Sequence, residues 1–174
     1  MKIDLHGKTA LVTASTGGIG FAIAQGLAES GAEVVLNGRS EASVSRAREK
    51  LNGLVAGAKI HTFIADLGSA QGVKQLLNGL PPIDILVNNA GIYGPQDFYA
   101  TDDETWEAYW QINVMSGVRL SRALLPEMVK RGWGRVVFIS SESARNFTAV
   151  RGHYGVYKNG QTALARWLGQ VAAG

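Results

Sequence analysis

A phenol and an ammonium near the end of the chain have a spacing suited to proton transfer. Tyr154 and Lys158 stand four residues apart, so on a helix both side chains would lie on one face. A free phenol has a pKa of about 10, and a neighbouring ammonium lowers that pKa because it favours the phenolate. We therefore expect Lys158 to lower the pKa of Tyr154, which could then serve as a general acid or base. Taken alone, such a pair is more often an accidental surface pair.

A serine upstream of the pair could hold the oxygen that the phenol protonates. Ser141 lies thirteen residues before Tyr154 and directly after an apolar segment that ends at Ser140. If that segment is a strand, Ser141 stands at its carboxyl end, where open α/β sheets collect their ligands. Ser141 is therefore a candidate for orienting a substrate carbonyl oxygen.

A glycine-rich turn near the start of the chain could bind phosphate. It runs from Thr13 to Gly20, between a predicted strand and a predicted helix. At such a turn the helix N-terminus offers unpaired N–H groups, and glycines let a pyrophosphate approach the backbone. Gly18 and Gly20 are the best candidates for that close approach. The alternative is a tight turn with no ligand, and the strand–turn–helix context disfavours it.

The end of the second predicted strand indicates which dinucleotide would bind. NAD-binding units carry an acidic residue there, whereas a 2′-phosphate needs a cation. The segment from Val34 to Ser40 has no carboxylate, Gly38 leaves space, and Arg39 supplies a guanidinium that can bind phosphate through two hydrogen bonds. We predict NADP(H) as the favoured cofactor, with NAD(H) as the alternative. A solvated surface arginine is the other interpretation of Arg39.

These residues need a scaffold of alternating strands and helices, and the hydrophobic pattern predicts one. Short apolar runs predict strands at Thr9–Thr13, Glu33–Asn37, Lys59–Ile64, Ile83–Val87 and Arg135–Ser140. Helical spacing predicts helices at Gly18–Ser30, Glu41–Leu51, Ala70–Leu77, Asp103–Arg131 and His153–Val171. The alternation predicts an α/β fold with a doubly wound parallel sheet, in one domain over residues 1–174.

Together these motifs resemble the short-chain dehydrogenase/reductase family over residues 8–174. The turn is similar to the family's Thr-Gly-x-x-x-Gly-x-Gly motif, except that Ala14 stands where the first glycine is expected. The segments Asn88–Gly91 and Asn113–Val114 also follow in the family's order. The resemblance implies a Rossmann-like, three-layer α/β/α fold and hydride transfer between NADP(H) and a carbonyl or alcohol. It implies a catalytic tetrad of Asn113, Ser141, Tyr154 and Lys158.

The resemblance also implies a set of cofactor contacts. Lys158 would contact the nicotinamide ribose, Asn113 would help to hold a proton-relay water, and Asp66 would contact the adenine. The full set of implied cofactor residues is Thr13, Ser15, Thr16, Gly18, Ile19, Gly20, Arg39, Asp66, Leu67, Asn89, Ala90, Gly91, Tyr154 and Lys158. Two alternatives stay open, because Asn89 could satisfy backbone groups at a strand end and Asp66 could cap a helix that starts near Ser69.

Two positions depart from the family pattern. If position 14 needs a positive φ, its alanine costs about 1 kcal/mol or more; if φ is negative, the methyl group must merely fit. Tyr157 directly precedes Lys158, where the family usually has a small residue. The affinity for the cofactor is the property that Ala14 affects.

Tryptophans on the predicted helices suggest an oligomer. Trp106, Trp110 and Val114 recur every four residues, and Trp167 lies on the last helix. Core packing explains such a stripe equally well. Because family members commonly assemble through these two helices, the resemblance implies a homodimer or homotetramer.

The resemblance further implies a continuation beyond residue 174. The family normally adds two strands and a substrate-covering loop and helix, so we expect the substrate-covering part to be absent from these 174 residues. A longer protein, a truncated chain and a natural short form that relies on a partner would each explain this. The second functional hypothesis is a catalytically silent dinucleotide-binding or assembly module, which would bind cofactor but turn over no carbonyl compound.

Composition narrows the remaining functions. The chain is 46% hydrophobic and 18% charged, carries a formal charge of +3, and has no cysteine, which excludes disulfides and thiolate metal sites. The basic residues form no stripe that would follow nucleic-acid phosphates. The three histidines have no metal-ligand spacing, so we expect no metal site. No segment has the length of a signal or membrane span, and we expect a cytoplasmic protein.

Overall fold

The computed structural model describes residues 3–149 and 151–173, and five parallel strands form one sheet in that range. The strands are β1 (Thr9–Val12), β2 (Glu33–Gly38), β3 (Ile60–Ile64), β4 (Ile85–Asn88) and β5 (Arg135–Phe138). Their order across the sheet is β3-β2-β1-β4-β5. The chain therefore starts in the middle of the sheet and winds outward in both directions, which confirms the predicted doubly wound α/β fold. The order reverses between β1 and β4, where such sheets bind ligands.

Helices cover both faces of the sheet. They are α1 (Gly18–Glu29), α2 (Glu41–Leu54), α3 (Ala70–Leu77), α4 (Asp103–Trp110), α5 (Ser116–Lys130) and α6 (Gly152–Ala173). One apolar cluster lies between the sheet and α1 and α2 and includes Val12, Phe21 and Leu36. A second lies on the opposite face and includes Leu11, Leu86 and Leu120. The alternation of Leu11 and Val12 between the clusters shows why strands buried on both faces carry unbroken apolar runs.

Several strand boundaries differ from the predicted ones because hydrogen bonding continues beyond the extended backbone. The first strand ends at Val12, and the next residue, Thr13, still donates its N–H to Val87 O. The fourth begins at Ile85 instead of Ile83, although Ile83 is buried. The fifth ends at Phe138 instead of Ser140.

The long helix predicted over Asp103–Arg131 is interrupted. Residues Gln111–Met115 form a π-helical segment between α4 and α5, and the Ser116 N–H donates to Gln111 O, five residues back. π segments are rare and occur frequently at functional sites. This one contains Asn113, whose side chain and backbone are consequently displaced from a regular helical register.

Candidate active site

The glycine-rich turn between β1 and α1 has a left-handed backbone at two residues. Gly18 has φ +53° and Ala14 has φ +49°, and Ala14 has the only positive φ among the described residues other than glycine. The positive-φ alternative for position 14 is therefore the one found. The Ala14 N–H donates to Asn37 Oδ1 at 3.2 Å, which holds the strained residue against the end of β2.

Replacing Ala14 by glycine is expected to stabilise the fold by about 1 kcal/mol, because glycine adopts this conformation without a Cβ clash. Urea unfolding measures the change, and nucleotide titration measures the accompanying gain in affinity. Ala163→Gly, at an exposed position of α6, is the matched control and should destabilise by about 1 kcal/mol. Equal shifts of both variants in the same direction would contradict the strain at Ala14.

Two residues of the turn face the protein interior. Thr13 Oγ1 donates to Val87 O at 3.2 Å and accepts from the N–H groups of Asn89 (2.9 Å) and Ala90 (2.8 Å). Ser15 is fully buried, and its Oγ accepts from the Asn37 N–H at 3.0 Å. Asn89 Nδ2 in turn donates to Thr13 O and Ala14 O. These side chains fix the shape of the turn, and those of Thr13 and Ser15 do not line the cleft described next.

A cleft of about 860 Å³ opens at the carboxyl ends of β1 to β4. Six of the predicted cofactor residues line it: Thr16, Arg39, Asp66, Leu67, Ala90 and Gly91. Helix α4 supplies the opposite wall with Glu104, Glu107 and Ala108. Gly18, Ile19 and Gly20 begin α1 beside the cleft, where Ile19 is 65% exposed.

Arg39 marks one end of the cleft. Its side chain is exposed and forms no ion pair within residues 3–149 and 151–173. The space that Gly38 was expected to leave for a ligand is filled by the protein, because a Cβ there would lie 2.5 Å from Thr16 Cγ2 and 2.8 Å from Val44 Cγ2. Gly38 therefore permits packing of the turn, and Arg39 supplies a positive charge to the cleft.

Asp66 lines the cleft but does not cap the following helix. Its Oδ1 accepts from the Gly68 N–H at 3.0 Å, and the N-cap of α3 is Ser69, whose hydroxyl accepts from the Gly72 N–H. The helix-cap alternative for Asp66 is therefore wrong, because the serine three residues later supplies that bond.

The other end of the cleft brings Asn113 and Lys158 together beside Gly91. A Cβ at Gly91 would lie 2.6 Å from Asn113 Oδ1 and 3.8 Å from Lys158 Nζ. Asn113 Nδ2 donates to Ile92 O (3.2 Å) and Tyr109 O (3.0 Å), whereas its buried Oδ1 finds no hydrogen-bond partner in the described part of the chain. Only glycine fits at position 91, and the unpaired oxygen faces the space it leaves.

Lys158 is almost completely buried. Its Nζ donates to Ile139 O at 2.8 Å, just beyond β5, and lies 5.5 Å from the centroid of the Tyr154 ring. The side chain is 4% exposed, and burial lowers the pKa of the ammonium to about 8. A group with that pKa can gain or lose a proton close to neutral pH.

The pKa of Tyr154 is raised, which corrects the expected lowering by Lys158. The ring is half-buried and packs edge-on against Tyr93, with centroids 5.0 Å apart. Burial is the main cause of the raised pKa, and the neighbouring Tyr93 raises it further. The ammonium does not counter it, since Lys158 Nζ lies over the ring and bonds to Ile139 O. At neutral pH Tyr154 is a phenol and can donate a proton.

Ser141 follows β5, as predicted, at the start of a 3-10 turn over Glu142–Ala144 that packs against α6. Its Oγ accepts from the Ser143 N–H at 3.2 Å. It lines a hollow with Arg145, Thr162 and others, separate from the cleft. Asn113, Tyr154 and Lys158 therefore converge, and Ser141 is tied to the neighbouring turn.

Tyr157 and His153 belong to an aromatic cluster behind Tyr154. Tyr157 is 1% exposed, donates its hydroxyl to Trp106 O at 3.1 Å, and has a pKa raised to about 12, mainly by burial. His153 packs against Trp106 and Tyr109, and burial lowers its pKa. The bulk that departs from the family pattern thus fills the interface between α4 and α6.

Two further residues hold the site and were not predicted. Asn37 Nδ2 donates to Phe63 O and Ala65 O, while its Oδ1 accepts from Ala14. An asparagine directly after the apolar run from Val34 to Leu36, still within the predicted strand, was a signal that sequence reasoning could have used. Tyr93 contacts Tyr154 from an irregular loop, and no sequence pattern indicates that contact.

The residues present fit a dinucleotide. The turn exposes glycines at a helix N-terminus, an unpaired arginine stands at one end of the cleft, and an unpaired carboxamide oxygen faces the gap at Gly91. The described stretch of chain contains no cluster of three or more metal-binding side chains. None of its helices is long and apolar enough to cross a bilayer.

Comparison with known proteins gives close relatives over the whole chain. The chain is 43% identical over 174 residues to the uncharacterized oxidoreductase YvaG of Bacillus subtilis, and the match covers 100% of this chain and 66% of that protein. D-beta-hydroxybutyrate dehydrogenase of Cupriavidus necator is 36% identical over 163 residues, covering 90% of this chain and 61% of its own. The chain spans about two thirds of the length of the curated relatives it matches.

Solved structures have the same fold. L-sorbose reductase from Gluconobacter frateurii, complexed with NADPH and L-sorbose, superposes with a TM-score of 0.93 at 32% identity, over 99% of this chain and 67% of the other. The 3-oxoacyl (acyl-carrier-protein) reductase from Agrobacterium tumefaciens, with NADP bound, superposes with a TM-score of 0.86 at 34% identity, over 92% of this chain and 63% of the other. The family model for short chain dehydrogenases matches residues 8–173. The chain therefore belongs to the short chain dehydrogenase family.

Proposed function

We propose that this protein reduces a carbonyl compound to an alcohol, reversibly, with NADP(H) as the favoured cofactor. The observation that carries the proposal is that Lys158 Nζ and Asn113 Oδ1 both face Gly91, with Nζ 5.5 Å from the centroid of the Tyr154 ring, and that Gly91 and Arg39 line the same cleft. The proton-transfer groups lie near the end of β4 and Arg39 lies at the end of β2, on opposite sides of β1, and this separation suits an extended dinucleotide whose phosphate Arg39 would bind.

When bound, NADPH supplies a hydride to the carbonyl carbon. Tyr154 donates its phenolic proton to the carbonyl oxygen, so that the alcohol leaves with one hydride and one proton added. The Ser141 hydroxyl accepts from the Ser143 N–H and faces a separate hollow, so it would have to turn toward the cleft to orient the carbonyl oxygen. Lys158 stabilises the phenolate that remains. Asn113 Oδ1 holds a water that returns a proton to Tyr154. In the oxidising direction the same groups act in reverse, with the Tyr154 phenolate as base.

The residues that would hold the cofactor lie on the turn and along the cleft. The N–H groups at the start of α1, from Gly18 to Gly20, would bind the pyrophosphate, and Thr16 would contact it from the turn. Asp66 and Leu67 would contact the adenine, and Asn89, Ala90 and Gly91 would lie against the nicotinamide half. Lys158 would contact the ribose next to the nicotinamide.

Arg39→Ala is expected to weaken NADPH binding about 10- to 100-fold and to change NADH binding less than about twofold, because charge-assisted hydrogen bonds to the 2′-phosphate are lost. Fluorescence titration with both nucleotides measures the two constants. Arg48→Ala, at an exposed position of α2, is the control and should leave both unchanged. An equal loss for NADH and NADPH would reject the phosphate-binding role.

The proposed reaction is tested by NADPH oxidation with a panel of carbonyl compounds. The names of the relatives suggest its members: ketoses, 3-oxo acids and 3-oxoacyl thioesters. We expect alcohol to form in proportion to the NADPH consumed for at least one class. Tight NADPH binding with no alcohol from any class would contradict the proposal.

We also propose that the protein is a homodimer or homotetramer. Trp167 is 67% exposed and Trp110 39% exposed, while Val114 is buried and Trp106 packs in the aromatic cluster. Exposed tryptophans on α4 and α6 therefore offer an apolar face for a second copy. Trp167→Glu is expected to shift sedimentation from oligomer to monomer, and a wild-type protein that sediments only as a monomer would contradict the assembly.

A further inference from the structure

A buried glutamine on α6 contacts the π segment that carries Asn113. Gln161 lies three residues after Lys158, on the same side of the helix, and is 1% exposed. Its Nε2 donates to the backbone carbonyl of Asn113 at 2.5 Å. Its Oε1 has no partner among the residues that the structure describes. This long polar side chain is thus buried with a single donated hydrogen bond to the described residues.

That hydrogen bond completes the anchoring of Asn113. The carboxamide of Asn113 donates to Ile92 O and Tyr109 O, which fixes it to the loop after β4 and to α4. Gln161 holds the backbone of the same residue from α6. π-helical hydrogen bonding is rare and occurs mostly as a single turn within an α-helix, so we expect contacts from outside the segment to help hold its residues in place. Among the hydrogen bonds of the described residues, the one from Gln161 joins Asn113 to the helix of Lys158.

We propose that Gln161 is a positioning residue, which sets Asn113 Oδ1 at its working distance from Lys158 Nζ. The inference rests on the proposed function, because the distance matters for the proton returned to Tyr154. Both atoms border the gap at Gly91. A shift of the π segment toward a regular helix would move Oδ1 out of that gap, and displacements of about 1 Å at such sites cost up to about 100-fold in rate.

Two substitutions separate this role from filling space. Gln161→Leu keeps most of the volume and removes the donor. Gln161→Glu keeps the shape, and the introduced carboxyl can donate to Asn113 O only while it is protonated. Its burial against a carbonyl raises its pKa, so the protonated form persists at mildly acidic pH. A role in packing alone would be preserved by leucine and would not depend on pH.

Hydrogen exchange of the Asn113 side-chain amide, followed by NMR, measures how firmly Asn113 is held and does not require the enzyme to turn over a substrate. Gln161→Leu is expected to speed this exchange at least about 10-fold, because the segment that holds the amide is released. Gln170→Leu makes the same chemical change at an exposed site of α6 and should match the wild type. Gln161→Glu should match the wild type at pH 6 and approach the leucine variant at pH 9.

Turnover supplies the second measurement. We expect kcat for carbonyl reduction to fall about 10- to 100-fold in Gln161→Leu, with the KM for NADPH unchanged. The ratio of kcat in Gln161→Glu to kcat in Gln170→Leu should fall as pH rises from 6 to 9, and taking the ratio cancels the titration of Lys158 that both variants share. Asn113 amide exchange within twofold of wild type in Gln161→Leu would overturn the inference. A wild type that reduces no carbonyl would instead refute the proposed function, and the exchange rates would still decide the role of Gln161.

Discussion

Tyr154→Phe is expected to lower kcat for carbonyl reduction about 1000-fold while the Kd for NADPH changes less than about twofold. The loss follows from removing the proton donor, since general acid catalysis contributes about 10²- to 10⁴-fold. Burial and the neighbouring Tyr93 raise the pKa of the Tyr154 phenol, so that the wild type holds the required proton throughout the neutral range. Steady-state NADPH oxidation and fluorescence titration measure the two effects.

Tyr157→Phe is the matched control for that substitution. Tyr157 lies three residues further along α6, is fully buried, and donates its hydroxyl hydrogen bond to Trp106 O. Its loss should cost about 1 kcal/mol of unfolding free energy and leave kcat within about threefold. Similar activity in Tyr154→Phe and the wild type would remove Tyr154 from the reaction. A large loss of kcat in Tyr157→Phe, with little loss in Tyr154→Phe, would show that Tyr157 and not Tyr154 donates the proton.

Lys158→Met is expected to abolish turnover and to stabilise the fold. The reaction loses the group that stabilises the Tyr154 phenolate, and we expect kcat to fall at least about 100-fold. The fold gains because the wild type buries an ammonium whose pKa is lowered to about 8, at a cost of about 3 kcal/mol at neutral pH. The methionine leaves Ile139 O without its hydrogen-bond donor, and this loss reduces the gain in unfolding free energy by about 1 kcal/mol.

The sign of this effect depends on pH in a defined window. Below about pH 8 Lys158 is charged in both the folded and unfolded states, so the wild type bears the full burial cost. Between about pH 8 and pH 10.5 the unfolded chain binds more protons than the folded one, and the stability of the wild type rises with pH. The advantage of Lys158→Met should therefore be about 2 kcal/mol at pH 7 and shrink toward zero or below by pH 10.5.

Urea unfolding of both proteins at pH 7 and pH 10 measures that difference. Comparing the two proteins at each pH cancels the titration of other groups. A variant less stable than the wild type at pH 7 would contradict the burial cost assigned to Lys158. A stability difference that does not change with pH would contradict the lowered pKa.

Most of the scaffold follows from local sequence pattern. The runs around Leu11, Val35 and Leu86 predict buried parallel strands, and the winding of the sheet follows because alternating elements favour right-handed crossovers. The placement of Arg39 and Asp66 at the cleft also follows, since both stand directly after strands. Strand ends were less predictable, because Thr13 and Ile139 continue to hydrogen-bond after the backbone has turned.

The remaining features depend on contacts between distant parts of the chain. The π segment at Asn113 shows no signal in the helical spacing, and Asn113 bonds to Gln161 and Ile92, which are distant from it in the sequence. The raised pKa of Tyr154 depends on Tyr93, which approaches from an irregular loop. The strain at Ala14 could be stated only conditionally, since φ is a property of the folded turn. Spacing predicted that Tyr154 and Lys158 meet, and the resemblance added Asn113, whereas Ser141 faces a separate hollow. The protonation and the anchoring of each side chain depend on the folded structure.

Transfer of deuterium from NADPH labelled at the reactive nicotinamide carbon tests the proposed reaction most directly. A carbonyl compound that supports turnover is incubated with labelled cofactor and protein, and the product is analysed by mass spectrometry and NMR. We predict one deuterium on the carbinol carbon of the alcohol, formed about 1000-fold more slowly by Tyr154→Phe. An alcohol without deuterium at that carbon, or bound cofactor with no alcohol at all, would contradict hydride transfer at this site.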